Sequence, residues 1–268
     1  MSAGASAVPL LHALVGGMEI AYRLDGPADA PVVLLVHGLL TDHRVWDAVA
    51  ARLSTRYRVL RYDLRGHGGS GIAPGPCTME SLGQDTVSLM DALGIGRVHL
   101  VGTSLGGMLA QQIAARHGER LISLTLANTA AAQPAATAWQ ARIDLVRREG
   151  VAAVADSTLQ RWFTAAFAAR ASAEVARMRA IMCETSTAGY VGCAEAIRDL
   201  AQLDLLSQIR VLTLVVAGSH DEATPPAQSL QLCEGIAGAR LVSLEAAHQC
   251  AFEQPDAFCE AWLDFTAG

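Results

Sequence analysis

The chain has 268 residues, 51% of them hydrophobic and 17% charged, with a net charge of −6. That supports a sizeable buried core and excludes the basic footprint of a nucleic-acid or anionic-membrane binder, so a small molecule is the expected partner. Nowhere do about 18 apolar residues run together, and "MSAGASAVPLLHALVGG" at the start lacks the basic-then-apolar plan of a signal peptide; a soluble, cytoplasmic protein is expected. The six cysteines, Cys77, Cys183, Cys193, Cys233, Cys250 and Cys259, include no CxxC pair, which predicts reduced, mostly buried thiols and neither a disulfide frame nor a zinc site.

Taken in chain order, "PLLHALV", "MEIAYRL" and "PVVLLVHG" read as strands. The amphipathic stretch "WDAVAARLSTR" then reads as a helix, followed by the strand "YRVLRYDL" and a Pro/Gly loop, "GIAPGPC". Next come helix "MESLGQDTVSLMDALG", strand "RVHLVG", helix "GGMLAQQIAARHG" and strand "ISLTLAN". From about Ala130 to Leu206 the alternation stops and the pattern is helical throughout, before "VLTLVVAG" and "RLVSLE" resume it. The inner strands are apolar almost without interruption, as strands buried on both faces must be. The prediction is an α/β fold: a mostly parallel eight-stranded sheet with helices on both faces, formed by residues 1–130 and 207–268, with residues 131–206 inserted as a helical cap. Trp162 in that insertion is read as interior packing, and Trp139, one helical turn before Arg142, as packing or a site wall.

"GTSLG" follows the strand "RVHLV" and opens a helix, the context that gives a G-x-S-x-G sequence chemical meaning. Ser104 would sit on a strained turn, with Gly102 and Gly106 where neighbouring backbone leaves no room for a Cβ. The helix N-terminus and the amide of Leu105 would face an oxyanion formed beside the hydroxyl. A serine hydroxyl needs a base, and the base needs an orienting carboxylate. Asp221 in "GSHDEATPP" and His248 in "AAHQCAFEQP" each follow a strand, in the chain order this motif requires. "HGLLTD", after "PVVLLV", offers the amide of Leu39, or that of Leu40, as a second oxyanion donor. His37 is read as a structural hydrogen-bonding residue and His220 as a solvated loop residue, while His12, His43, His67, His99 and His117 have no paired carboxylate in a matching loop. "RGHGGSG" matches G-x-G-x-x-G, but two prolines follow where a helix should open, so no dinucleotide site is expected there.

The strand–elbow–helix, "DLRGHGGS", the helical insertion and the "GSHD" and "AAHQ" loops together resemble the α/β-hydrolase superfamily over nearly the whole chain. "YRVLRYDLRGHGGS", "LANTAA", "RWFT", "GYVGCAEAIRDL" and "LVVAGSHDEATPP" look like the 3-oxoadipate enol-lactone hydrolases of aromatic catabolism. One departure is Gly38, where such enzymes often carry serine. The resemblance implies a serine hydrolase that opens a carboxylated enol-lactone to 3-oxoadipate through an acyl-enzyme, without metal or organic cofactor. Its site residues would be Ser104, Asp221 and His248, with Leu39 and Leu105 as oxyanion donors. The substrate carboxylate needs a counter-charge, for which Arg142 and Arg44 are the candidates, and Trp139 would pack on the lactone ring. Gly189 and Tyr190 would shape the far wall, Tyr190 chiefly as core. The alternatives are a general carboxylesterase or perhydrolase with the same residues, and a non-catalytic receptor for a small ligand.

Overall fold

The computed structural model describes residues 9–267 apart from positions 74 and 134. Its eight strands are β1 (Leu11–Val15), β2 (Met18–Asp25), β3 (Val32–Val36), β4 (Arg58–Tyr62), β5 (Val98–Thr103), β6 (Leu121–Ala127), β7 (Thr213–Gly218) and β8 (Arg240–Leu244). They form one sheet in the order β1-β2-β4-β3-β5-β6-β7-β8. β1, β2 and β4 pair antiparallel and every other pairing is parallel, as the apolar runs predicted. β5 and β7 are buried at every position, because α1 (Asp47–Leu53), α2 (Met79–Ala92), α3 (Leu105–Arg116), α10 (Pro226–Gly235) and α11 (Pro255–Ala267) cover the sheet.

Chain order and sheet order part at β3, which lies between β4 and β5. Connections on either side of such a strand leave in opposite directions, opening a crevice at the carboxyl ends of the strands. The loops after β3 and β5 flank that crevice, and those after β7 and β8 reach it from one side.

Between β6 and β7 the described chain is helical: α4 (Ala136–Glu149), α5 (Ala152–Trp162), α6 (Ala165–Arg170), α7 (Ser172–Glu184), α8 (Thr187–Arg198) and α9 (Leu203–Leu206). Its two ends leave the sheet side by side. Gln202 N–H donates to Ala131 O at 2.7 Å and Gln133 N–H to Leu200 O at 3.1 Å. The helices also touch the rest of the chain at defined points. Ser186 Oγ donates to Gly66 O at 2.9 Å, and Gly189 packs so closely on Gly66 that a Cβ on either would strike the other's backbone. Arg177 pairs with Asp47 at 2.5 Å. Among the described residues no helix is long and apolar enough to cross a membrane. The six cysteines are free thiols, three of them buried.

Candidate active site

Ser104 stands between β5 and α3 with φ 52° and ψ −119°, a conformation L-residues rarely adopt. The neighbouring glycines make the turn sterically possible. A Cβ on Gly102 would lie 2.3 Å from Gly106 O, and one on Gly106 would lie 2.3 Å from Val36 O. Ser104 N–H donates to Ala127 O at 3.0 Å, and Thr129 Oγ1 donates to Ser104 O at 2.7 Å, so both flanking peptides are tied to β6 and the loop after it.

The loops after β7 and β8 bring the other two expected residues to this turn. His248 Nε2 lies 3.0 Å from Ser104 Oγ, and Nδ1 lies 2.9 and 3.0 Å from the two Asp221 oxygens. His248 and Asp221 are both buried. Burial alone would raise the Asp221 pKa, but the neighbouring His248, its hydrogen bond, and the donors Thr224 and Asn128 outweigh it and hold the carboxyl down at about 2. The amides of Ala223 and Thr224 donate at 2.8 and 2.9 Å, Thr224 Oγ1 at 2.7 Å and Asn128 Nδ2 at 2.8 Å. The carboxylate therefore stays ionised and fixed, with its open edge toward the imidazole. Sequence reasoning missed Asn128, which sits just past β6 at φ 44° and also donates to Ala247 O at 3.2 Å, bracing the His248 loop. An Asn directly after a strand, tolerant of the left-handed region, was the available signal.

On the other side of Ser104 stand the amides expected to face an oxyanion. Neither Leu39 N–H nor Leu105 N–H has a protein acceptor among the described residues. The Leu40 amide, the alternative to Leu39, donates to His67 Nε2 at 3.3 Å and is thereby taken. Gly38 abuts the nucleophile: a Cβ there would come within 3.1 Å of Ser104 Cβ.

In the helical insertion, Arg142 Nε donates to Tyr190 Oη at 2.5 Å and Nη2 to Thr158 Oγ1, and its guanidinium lies 5.8 Å from the Trp139 ring centre. No carboxylate pairs with Arg142 among the described residues. Tyr190 is fully buried, as expected of a core residue, while its hydroxyl serves Arg142. Trp162 is buried too, but its packing is not confined to the insertion: its ring lies 5.9 Å from that of His248, tilted by 36°. Arg161 escaped notice in the sequence. It is exposed and has no hydrogen-bonding or ion-pair partner among the described residues. Burial and the charge of Arg142 lower its pKa, with Glu222, Tyr190 and Asp221 also in range.

Two expectations need correction. Arg44 is not a free counter-charge: it chelates Asp42, at 2.6 Å for Nη2, and pairs with Glu184, so the hydrogen bond to Asp42 raises its pKa. His43 does have a carboxylate, because its Nδ1 lies 2.8 Å from Asp63 Oδ1 and both residues are buried. His37 is structural as expected, and exposed His220 pairs with Glu245 at the surface. Among the described residues, Asp42, His43 and Asp63 bring possible metal-ligand atoms within 4.8 Å of one another. Hydrogen bonds account for that cluster, since Arg44 takes both Asp42 oxygens while His43 and the Gly69 amide take those of Asp63.

Comparison with known proteins places the fold. Residues 31–255 match the α/β-hydrolase fold family. The 3-oxoadipate enol-lactonase 2 of Acinetobacter baylyi is 36% identical over 240 residues, covering 90% of each chain. The crystal structure of the enol-lactonase from Burkholderia xenovorans superposes with a TM-score of 0.94 at 40% identity, covering 96% of this chain and all of that one. A relative from Agrobacterium fabrum, provisionally assigned as a carbamate hydrolase, is 30% identical over 257 residues, 92% of this chain and 96% of its own. The chain thus belongs to the α/β-hydrolase family, in the company of the 3-oxoadipate enol-lactonases, and is a hydrolase.

Proposed function

We propose that this protein hydrolyses a small carboxylated enol-lactone, 3-oxoadipate enol-lactone, to 3-oxoadipate, as its named relatives suggest. Carrying this reading is one observation: an unbroken line of contacts from Asp221 through His248 to Ser104, beside the unpaired amides of Leu39 and Leu105. His248 takes the Ser104 proton as Oγ attacks the ring carbonyl, while Asp221 holds the imidazole tautomer and stabilises the imidazolium. Leu39 and Leu105 donate to the oxyanion, a role in which losing one donor typically costs about a hundred- to a thousandfold in rate. Collapse of the tetrahedral intermediate breaks the ring C–O bond and releases an enol oxygen, which takes the proton from His248 and tautomerises to the ketone. Water, deprotonated by His248, then attacks the acyl carbon; the C–Oγ bond breaks, Ser104 Oγ takes the proton back from His248, and the diacid leaves.

Residues 131–206 serve as the cap in this reading, closing the site over the substrate. Their Arg142 and Arg161 supply the counter-charge for its carboxylate, which an apolar pocket would not hold unpaired. Trp139, beside Arg142, packs on the flat ring. Trp162 shields His248 from solvent.

The provisional assignment of the Agrobacterium relative favours one second reading, hydrolysis of a carbamate by the same residues. Loss of the enol-lactone's ultraviolet absorbance on adding purified protein tests the first, beside a panel of simple esters, neutral lactones and carbamates. The expected result is a kcat/KM for the enol-lactone at least a hundred times that of every other substrate. A carbamate or plain ester turned over faster overturns the substrate.

A further inference from the structure

"RGHGGSG", which matches a nucleotide-binding pattern without its context, takes no part in the triad, yet it carries His67. The geometry points to His67 and His37 as positioning residues for the oxyanion site: two buried imidazoles that hold the two peptides flanking Leu39 and so aim its amide past Ser104. This rests on the reading of Ser104 as nucleophile and Leu39 as donor.

The Gly38–Leu39 peptide carries the Leu39 N–H and the Gly38 carbonyl in one plane, pointing in opposite directions. Gly38 O accepts from His37 Nδ1 at 2.7 Å and from Thr41 Oγ1 at 2.9 Å, which directs the Leu39 N–H away from both. The next peptide is held as firmly. Leu40 N–H donates to His67 Nε2 at 3.3 Å, and Leu40 has a φ of 66°, which for a leucine persists only where its surroundings hold it. Each ring is itself anchored in the segment that follows β4. His37 Nε2 accepts from Leu64 N–H at 2.9 Å, while His67 Nδ1–H donates to Arg65 O at 3.0 Å. The two segments thus exchange imidazoles, with ring centres 5.5 Å apart.

This arrangement requires both rings to be neutral, because each Nε2 must accept. Burial lowers both pKa values, that of His67 to about 4 with help from His37, against the opposing pull of Asp63 and Asp42. The anchoring segment also meets the helical insertion through Gly66, Gly189 and Ser186, so it is braced from both sides.

The test uses His67→Ala, His67→Gln and Thr41→Val in the full chain, with kcat and KM for the enol-lactone and the inhibition constant of phenylboronic acid, which forms a tetrahedral adduct on a nucleophilic serine. In His67→Ala, kcat should fall about a hundred- to a thousandfold with KM within threefold, and boronate binding should weaken in proportion. His67→Gln offers Oε1 to the Leu40 amide and should recover at least tenfold of that loss. Thr41→Val removes one of two donors to Gly38 O and should lower kcat and boronate affinity together, by three- to thirtyfold. If His67→Ala does not fold, His67→Gln and Thr41→Val decide: kcat within a hundredfold of wild type in the first and a matched loss in the second support the role. Unchanged kcat in Thr41→Val, equal losses for Gln and Ala, or a KM change without a boronate change would overturn it. Boronate that binds wild type no better than Ser104→Ala would instead sink the nucleophile assignment on which the inference stands.

Discussion

His248 with Asp221 and His43 with Asp63 are built nearly alike: a buried imidazole, Nδ1 toward a buried carboxylate, at 2.9 and 2.8 Å. They differ at the far nitrogen. His248 Nε2 meets the Ser104 hydroxyl at 3.0 Å, whereas His43 Nε2 is buried with no partner among the described residues. The Asp63 pair is a staple. Asp63 Oδ1 also accepts from the His43 amide at 2.8 Å and Oδ2 from the Gly69 amide at 2.9 Å, joining the turn His43–Trp46 and the "GHGGS" loop to the end of β4. A histidine–carboxylate pair therefore becomes a base only where topology gives its other nitrogen a hydroxyl to deprotonate.

Breaking the first pair should cost rate and breaking the second should cost stability. Ser104→Ala should lower kcat by a factor on the order of 10⁵ or more with the melting temperature nearly unchanged, read by initial rates and circular dichroism. Asp221→Asn should lower kcat on the order of 10⁴, with a stability loss of about 2 kcal/mol, matching a carboxyl held at about 2 rather than its ordinary value. Asp63→Asn should reverse the proportion. Denaturant titration should show a loss of roughly 3–5 kcal/mol. The protein that remains folded should keep kcat within about fivefold, since none of the hydrogen bonds that tie His67 to Leu40 and Arg65, or His37 to Gly38 and Leu64, involves Asp63.

Acid separates the pairs differently. His67 and His37 are buried neutral, so on acidification the unfolded chain binds protons that the folded one refuses, for His67 as pH falls from about 6.5 to about 4. Stability should drop across that window, by roughly 3 kcal/mol for His67, and the drop should shrink in His67→Gln. The Asp221 contribution is fully present above about pH 4 and is lost only as pH falls toward 2. The smallest effect concerns the helical insertion. Arg142→Ala should raise KM for a carboxylated lactone about tenfold or more while leaving a neutral ester of similar size unaffected. Equal shifts for both substrates would assign Arg142 to packing with Tyr190 and Thr158.

Much of this architecture was legible in the chain because its signals are local. Eight apolar runs became eight strands, and Ser104, Asp221 and His248 could be picked out because each follows one of them. Gly102 and Gly106 announced a close approach that the structure contains. Arg44 shows where such reading stops. Its partner Glu184 lies 140 residues away, and nothing near Arg44 in the chain announces that pairing. The same holds for Asn128 on Asp221 and for Trp162 against His248, contacts made across elements whose packing no local pattern encodes.

The sequence by itself determined the strands, the elbow and the order of the three residues around it, since periodicity and glycine placement act over a few neighbouring positions. Only the tertiary structure decided which imidazole meets a hydroxyl, which arginine is already spent, and which of two adjacent amides is left unpaired. Those outcomes depend on the distances between loops far apart in the chain, which are set when the sheet and its covering helices pack together.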